Sequence, residues 1–332
     1  MSMTIHERPG VYSSYDASTV INGSGGGSTV GLVGLVTDGE SGKLYTFNRY
    51  EDAVTQFGQE ENLTKLVQVL FRNGAARVVV VPVSGEEDYQ GAFDLLAMED
   101  DIDLVVCDST QLSVQQALRQ SVCDASQARR ERIAVVGGAQ SEDVEALVER
   151  AEGINSERVV LVAPGDGTGL AAAAVAGAIA GENDPAIPLG GAELKGLEGM
   201  EARYADTEID TLVRGGVTPL ENVSGVVSVV RGVTTRTKTG EAEDATWREL
   251  PTIRNSLRAK FRRTKNTEQT RGAIRSQVVL ELENKLAREI ITGYDQVTVE
   301  ADTENPTVCL VDFTFTVAHG LNQIWLTAHI TV

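Results

Sequence analysis

Short runs of valine, isoleucine and leucine alternate with helix-forming stretches between Thr29 and Gly181, and this alternation limits the possible folds most strongly. Strands of a parallel sheet consist of such runs, because helices cover both of its faces. The predicted strands are Val30–Val36, Arg77–Pro82, Asp103–Cys107, Ile133–Val136 and Val159–Ala163. The predicted helices are Tyr50–Phe57, Leu63–Phe71, Val114–Arg129, Ser141–Ala151 (with Ser141 as the cap) and Gly169–Ala180. The sequence therefore predicts an α/β layer domain.

Composition and charge exclude several classes of function. The chain has 332 residues with 48 acidic and 29 basic side chains, a net charge of -19 that repels nucleic acid and anionic membranes. Its three cysteines are far apart, without a CxxC pair, so neither a disulfide framework nor a zinc site is predicted. The start lacks the apolar core of a secretory signal, and the longest apolar stretch, Leu170–Gly181, is too short to cross a bilayer. We expect an intracellular product.

Four segments are predicted along the chain. They are an extended arm with a Gly/Ser linker (1–28), an α/β outer domain (29–184), an α+β domain (185–319) and a strand arm (320–332). The α+β domain begins where proline and glycine become frequent, after Glu182. Its predicted elements are helices over Glu208–Gly215, Ile253–Arg263 and Glu268–Ile291, a strand over Val226–Gly232 and three further strand-like segments.

Both ends of the chain have features of strands that lack a partner. In Val311–Val317 and Ile324–Val332 apolar and polar residues alternate with the period of a strand. The last strand either pairs inside its own sheet or completes the sheet of a neighbouring molecule by β-augmentation. The amino-terminal segment before the linker Gly23–Ser28 is either a frayed terminus or an arm that reaches away from its own core.

A glycine loop is the nearest approach to a cofactor site. Gly167–Ala172 fits a relaxed dinucleotide-binding pattern between a strand and a helix. Asp166 puts a negative charge where a pyrophosphate would bind, the unit is the last of its domain, and Glu182 and Asp184 follow in a loop. We therefore expect a tight turn and no cofactor. The histidines, His6, His319 and His329, lie in the terminal segments, and no catalytic or metal site is predicted.

A basic segment interrupts the acidic chain. Eight basic residues and one acid lie between Arg254 and Arg275, a charge of +7 that leaves -26 for the remainder. In a helix, four of the cations fall on one face, and we call them the basic stripe: Arg254, Arg258, Arg262 and Lys265. The stripe is either a docking surface for a negative partner or a solvated face balancing acidic neighbours. Nucleic acid is a rival partner, but no aromatic residues interleave for base stacking.

Several segments in order along the chain resemble contractile-tail sheath proteins, found in phage tails, R-type bacteriocins and related injection systems. The resemblance lies in Arg8–Tyr12, Pro188–Gly199, Asp206–Val217, Arg231–Thr237, Thr246–Leu250 and Arg254–Arg258. Around Pro251 this chain is shorter than the family pattern, which leaves the start of the basic helix undefined.

The resemblance implies a structural subunit that forms rings around an inner tube, with terminal arms that complete the small sheets of neighbours. The arm residues would be Val11, Tyr12, Tyr15, Val20, Ile21, Ile324, Trp325, Leu326, Ala328, Ile330 and Val332. The hinges would be Gly23, Gly25, Gly26, Gly27 and Gly320, and the basic stripe would face the tube.

The implied partners are other copies of the chain, the inner tail tube protein, and the baseplate and tail terminator proteins, without nucleic acid or membrane contact. The subunit would assemble in the host cytoplasm and become part of a virion tail or a released contractile particle, without catalysis. Two alternatives from other classes are a dinucleotide-dependent enzyme on the α/β domain and a nucleic-acid-binding packaging factor.

Overall fold

A computed structural model describes residues 28–37, 41–128, 130–182, 187–236, 266–303 and 308–318. These residues fall into two compact units, which are described separately. The first unit is formed within residues 25–183 and 188–245, and the second contains the described residues after 265. No helix of the described ranges is long and apolar enough to cross a membrane.

A nine-stranded sheet forms the centre of the first unit. Its strands are β1 (Thr29–Leu35), β2 (Tyr45–Phe47), β3 (Arg77–Val83), β4 (Leu104–Cys107), β5 (Ile133–Gly137), β6 (Val159–Ala163), β7 (Glu193–Leu194), β8 (Val217–Val223) and β9 (Val226–Val229). The order across the sheet is β2-β3-β1-β4-β5-β6-β8-β9-β7. The six strands from β3 to β8 in this order are parallel, whereas β2 pairs antiparallel with β3 and β9 pairs antiparallel with β8 and β7.

Helices cover this sheet. They are α1 (Tyr50–Phe57), α2 (Asn62–Asn73), α3 (Tyr89–Met98), α4 (Leu112–Gln127), α5 (Val144–Ile154), α6 (Leu170–Gly181) and α7 (Asp206–Arg214). Helix α2 packs against α1 and α6, while α3, α4, α5 and α7 pack one against the next. Strands β4, β5 and β6 are buried along their whole length, as strands covered on both faces must be. The predicted α/β layer is confirmed.

The structure differs from the predicted boundary at residue 184. Strand β8 pairs in parallel with β6, from Leu161 opposite Val217 to Ala163 opposite Pro219, so residues after 188 extend the sheet of the first unit. The sequence does not predict β8, because the strand contains Pro219 and proline is disfavoured inside a strand. The strand predicted over Val226–Gly232 ends at Val229, as β9.

Three further local differences have simple causes. The α5 cap is Asp143, whose carboxylate accepts a hydrogen bond from the Ala146 N–H at 2.9 Å, while the predicted cap Ser141 lies outside the helix at a φ of 64°. Helix α3 was missed, although its buried residues Tyr89, Ala92, Phe93 and Leu96 have helical spacing. The short edge strands β2 and β7 were also missed, because so few residues give no measurable periodicity.

The described residues after 265, in the second unit, contain one long helix and four short strands. These are α8 (Glu268–Ala287), β10 (Ile291–Tyr294), β11 (Thr298–Ala301), β12 (Cys309–Asp312) and β13 (Phe315–Val317). Helix α8 ends earlier than the predicted Ile291, because Glu289 takes a left-handed φ of 59° and turns the chain into β10. The small core consists of Val278, Leu282, Ile290, Ile291 and Val297.

Candidate assembly site

The four strands of the second unit form one antiparallel hairpin that bends at its middle. Strand β10 pairs with β13, and β11 pairs with β12. The pairing continues beyond the strands: the Ala318 N–H donates to the Ile290 carbonyl at 3.0 Å, and the Asp302 N–H donates to the Val308 carbonyl at 3.1 Å. Residues 290–302 are therefore the first strand, and residues 308–318 the second strand, of what we call the bent hairpin.

Hydrogen bonds hold the bend in place. At the bend, the Asp295 N–H donates to the Thr314 carbonyl at 2.9 Å, and the Thr314 hydroxyl donates to the Asp295 carboxylate. The Tyr294 hydroxyl donates to Glu283 on α8, and this bond raises the pKa of Tyr294. These hydrogen bonds join the two strands at the bend and tie the hairpin to the helix. No sequence motif singled them out, because each partner lies at least 11 residues away along the chain.

One face of the bent hairpin packs on α8 and the other is exposed. Val311, Phe313 and Phe315 contact the small core, and the two phenylalanine rings stack with centroids 6.3 Å apart. Leu310 and Thr314, on the opposite face, are exposed. Lys285 of α8 is buried, and this burial lowers its pKa to about 8.

The outer edges of the bent hairpin are the feature that suits it to assembly. Within the described ranges each of its strands pairs only with the other, so both outer edges carry backbone N–H and C=O groups available to a further strand. Native proteins usually block such edges, because an open edge accepts strands from other chains. An open hairpin is therefore a candidate acceptor for the predicted arms.

All the predicted site residues lie outside the described residues. This applies to the arm residues of both ends, to the hinge glycines and to the basic stripe. The structure describes elements next to them in sequence. The second strand of the bent hairpin precedes the predicted carboxy-terminal arm, and α8 follows the predicted basic helix. The predicted strand over Val311–Val317 is present, but it is divided at residues 313 and 314 by the bend.

In the glycine loop of the first unit, a carboxylate of the loop itself accepts hydrogen bonds from the backbone N–H groups. The Asp166 side chain accepts hydrogen bonds from the backbone N–H groups of Thr168 at 2.9 Å, Gly169 at 2.8 Å and Ala171 at 2.7 Å. These are the donors at the start of α6 that a pyrophosphate would need. Asp166 therefore acts as an internal substitute for an anion at this helix start.

A second carboxylate lies directly after β4, beside β1, at the position where a doubly wound sheet usually binds ligands. Asp108 accepts hydrogen bonds from the Leu35 N–H at 2.9 Å and from the Tyr89 hydroxyl. Gly169 packs so closely here that an added Cβ would lie 3.0 Å from the Asp108 Cα. Burial raises the pKa of Asp108. No group of three or more potential metal ligands occurs among the described residues.

Comparison with known proteins identifies the family. The phage tail sheath protein central domain matches residues 83–235, and the phage tail sheath C-terminal domain matches residues 246–331. Together they cover more than two thirds of the chain. The chain belongs to the phage tail sheath family. The family prediction made from the sequence is thus confirmed, and the sheath C-terminal domain includes the whole bent hairpin.

Individual relatives agree with this assignment. The tail sheath protein of Bacillus phage SP01 is 28% identical in an alignment of 222 positions, and this alignment covers 60% of this chain and 38% of that protein. The chain therefore spans about two fifths of that relative's length. A chain of the anti-feeding prophage baseplate has a TM-score of 0.75 at 14% identity, covering 99% of this chain and 100% of that one. A chain of the contracted anti-feeding prophage sheath has a TM-score of 0.69 at 15% identity, covering 98% and 99%. These likenesses show a shared fold.

Proposed function

We propose that this protein is the repeating subunit of a contractile tail sheath, which polymerises in helical rings around an inner tube. Subunits would be linked by strand exchange, and contraction would drive the tube through a target envelope. The observation that carries the proposal is the bent hairpin, whose open edges lie next in sequence to a predicted strand arm. The similarity of fold to a chain of a contracted helical sheath supports it.

The arms would be the links between subunits. Val11, Tyr12, Tyr15, Val20 and Ile21 would belong to the amino-terminal arm, and the alternating residues of 324–332 to the carboxy-terminal arm. Main-chain hydrogen bonds would supply affinity, and alternate side chains would supply specificity. The glycines of 23–27 and Gly320 would let each core turn as a rigid body while strand pairing persists.

Further partners are inferred from the charge of the chain and from the arrangement of rings around a tube. The basic stripe would bind acidic subunits of the inner tube, and the end rings would contact baseplate and terminator proteins. Assembly would take place in the host cytoplasm, before the sheath becomes part of a tail or of a released particle. A basic surface for the tube on an otherwise acidic subunit agrees with the charge of the chain, because the segment from Arg254 to Arg275 carries +7 and the remainder carries -26.

The mechanism would be mechanical, without catalysis or nucleotide hydrolysis. The extended sheath would be metastable, held by tube and baseplate contacts, and contraction would replace these with larger contacts between subunits. Asp166 and Asp108 support this view, because each carboxylate occupies a position in the α/β unit that a ligand would need. A dinucleotide-dependent enzyme on this unit is correspondingly disfavoured.

The test is assembly of a truncated chain, followed by negative-stain electron microscopy. Deleting residues 321–332 should leave a folded monomer that forms no cylinders, whereas the full chain, with tube protein added where needed, should form striated cylinders. A paired control keeps the chain length: Leu326→Asn with Ile330→Asn should block assembly, and Thr327→Asn with Thr331→Asn should permit it. Cylinders formed by the truncated chain would contradict strand exchange.

A further inference from the structure

The chain leaves the α/β unit by a route that continues past β9. Strand β9 runs antiparallel to β8, and β8 runs parallel to β6, so the chain after β9 runs towards the amino ends of the parallel strands. It reaches the start of β6, where the Thr235 N–H donates to the Val159 carbonyl at 2.9 Å. We call residues 232–236 the exit segment. Farther along, after residue 245, the chain passes into the second unit.

The exit segment takes a place beside β6 that β8 does not reach. Strand β6 begins at Val159, but β8 pairs with it only from Leu161 onwards. The Arg158 carbonyl bonds to β5, through the Ala134 N–H at 2.8 Å. Since successive carbonyls of a strand point to opposite sides, the Val159 carbonyl points to the β8 side. Thr235 therefore supplies the donor that a longer β8 would have supplied.

Two threonine hydroxyls hold the exit segment in addition. The Thr235 hydroxyl accepts from the Ser156 N–H and donates to the Ser156 carbonyl, both at 3.1 Å. The Thr218 hydroxyl of β8 makes the same pair of bonds with the N–H and carbonyl of Val233, both at 3.0 Å. All four residues are buried. Five hydrogen bonds away from water thus join the exit segment to β6, to β8 and to the loop before β6.

The position of these bonds decides how a pull on the chain reaches the sheet. Hydrogen bonds between antiparallel strands are perpendicular to the strands, so a pull along the exit segment strains them together instead of one after another. If the chain left directly from β9, the pull would act on a strand whose outer neighbour is the two-residue β7. The exit segment ends instead beside β6, which is buried along its whole length between β5 and β8.

The start of the unit is fixed in a comparable way. The Ser28 carbonyl accepts from the Ala76 N–H at 3.2 Å, and the Thr29 carbonyl accepts from the Asp103 N–H at 3.0 Å. The Thr29 N–H donates to the Asp103 carboxylate at 3.1 Å. Because β1 and β6 are parallel, the start of the unit and the exit segment lie at the same edge of the sheet. Both connections to the rest of the chain are therefore fastened at this edge.

We infer that the exit segment is a mechanical fastening, which keeps tension in the chain beyond residue 236 from opening the α/β unit. The inference rests on the proposed function, because contraction would move subunits that stay joined through their arms. Both arms belong to the part of the chain outside this unit, so tension between subunits reaches the unit through its connections. Thr235 holds the last part of the exit segment, and resistance to that tension depends on its hydroxyl.

Pulling on single molecules of the full chain tests this role. Handles are attached at Thr237→Cys, next in sequence to the exit segment, and at Ser41→Cys, which lies beside Ser84 at the carboxyl end of β3. The natural cysteines are replaced by alanine. At the same constant force Thr235→Val should unfold about tenfold faster than the chain with Thr235, because it lacks two buried hydrogen bonds. Thr235→Ser keeps the hydroxyl and should unfold at nearly the rate of the chain with Thr235.

A matched variant and a second pair of handles separate tension from general stability. Thr64 of α2 is buried, and its hydroxyl has no hydrogen-bond partner among the described residues, so Thr64→Val should unfold no faster. Handles at Ser41→Cys and Ser224→Cys both lie at carboxyl ends of strands and do not pull on the exit segment. The effect of Thr235→Val should be several-fold smaller there. An equal effect with both pairs of handles would overturn the inference, as would an unchanged rate with the first pair.

Cys123 reports on the exit segment in the assembled sheath. Its thiol is half-buried, with the Sγ 4.0 Å from the Ser156 Oγ. Cylinders carrying Cys107→Ala and Cys309→Ala are treated with a maleimide before and during contraction. Contraction should leave labelling of Cys123 unchanged in the chain with Thr235 and raise it several-fold in Thr235→Val. Equal labelling of the two would contradict the inference. If the natural chain forms no cylinders, the proposed function fails, whereas the pulling experiment on single chains decides this inference separately.

Discussion

A single methyl group has no room at Gly177, where α6 crosses α2. A Cβ there would lie 2.7 Å from the Asn73 Cβ and 2.8 Å from the Leu70 carbonyl oxygen. Gly177→Ala should therefore lower the free energy of unfolding of the α/β unit by about 1–3 kcal/mol. At Gly91, on α3 of the same unit, a Cβ meets nothing within 4 Å, so Gly91→Ala should raise it by roughly 0.5–1 kcal/mol. Urea unfolding followed by circular dichroism measures both; effects of the same sign would contradict the packing described.

Asp108 predicts how stability changes with pH. Because burial raises its pKa in the folded state, ionised Asp108 destabilises the fold at neutral pH. As pH falls through the raised folded pKa towards the unfolded value, the folded state takes up the proton first and this penalty disappears. Asp108→Asn should thus be more stable relative to the natural chain at pH 7.5 than at pH 4.5.

The measurement is urea unfolding of both proteins at the two pH values. Asp94→Asn, which removes the same charge at an exposed site on α3, is the control. A difference for Asp108→Asn that does not depend on pH would show that burial of this carboxylate has no energetic effect.

At the scale of elements, the stability of helix α6 depends on a side chain that lies outside the helix. Asp166 accepts hydrogen bonds from the N–H groups of Thr168 and Gly169, just before the helix, and of Ala171 in its first turn, so Asp166→Ala should lower the free energy of unfolding by about 0.5–2 kcal/mol. Asp143→Ala, which removes the cap of α5, should have a similar effect. Thermal unfolding compares the two; no change for Asp166→Ala would mean that water satisfies these donors equally well.

Elements with strong periodicity were predictable, and those set by pairing across the chain were not. Strands β5 and β6 are continuous apolar runs, so composition alone identified them. Strand β8 joins the sheet through its register with β6, a contact between residues more than 50 positions apart that no local pattern reveals. The pairing of the bent hairpin is likewise a property of two strands together. The sequence therefore predicts which segments can form strands, while the partner and register of each strand are visible only in the structure.

At the scale of the whole molecule, positive charge is concentrated in one segment of a strongly acidic chain. If the basic stripe contacts the tube, Arg258→Glu with Arg262→Glu should weaken binding of tube protein by about tenfold, because two attractive contacts become repulsive. Self-assembly of the sheath should be unaffected, since strand exchange depends on backbone pairing. The loss should become smaller at high salt, where charges at a solvated surface are screened.

A matched control separates the stripe from the net charge of the chain. Arg275→Glu with Arg288→Glu makes the same change of charge at exposed positions of the second unit outside the stripe. Co-sedimentation of tube protein with assembled sheath measures both pairs at low and high salt. If the two pairs weaken binding equally, attraction to the tube depends on total charge. If neither pair does, the stripe faces solvent, and another surface of the subunit must hold the tube.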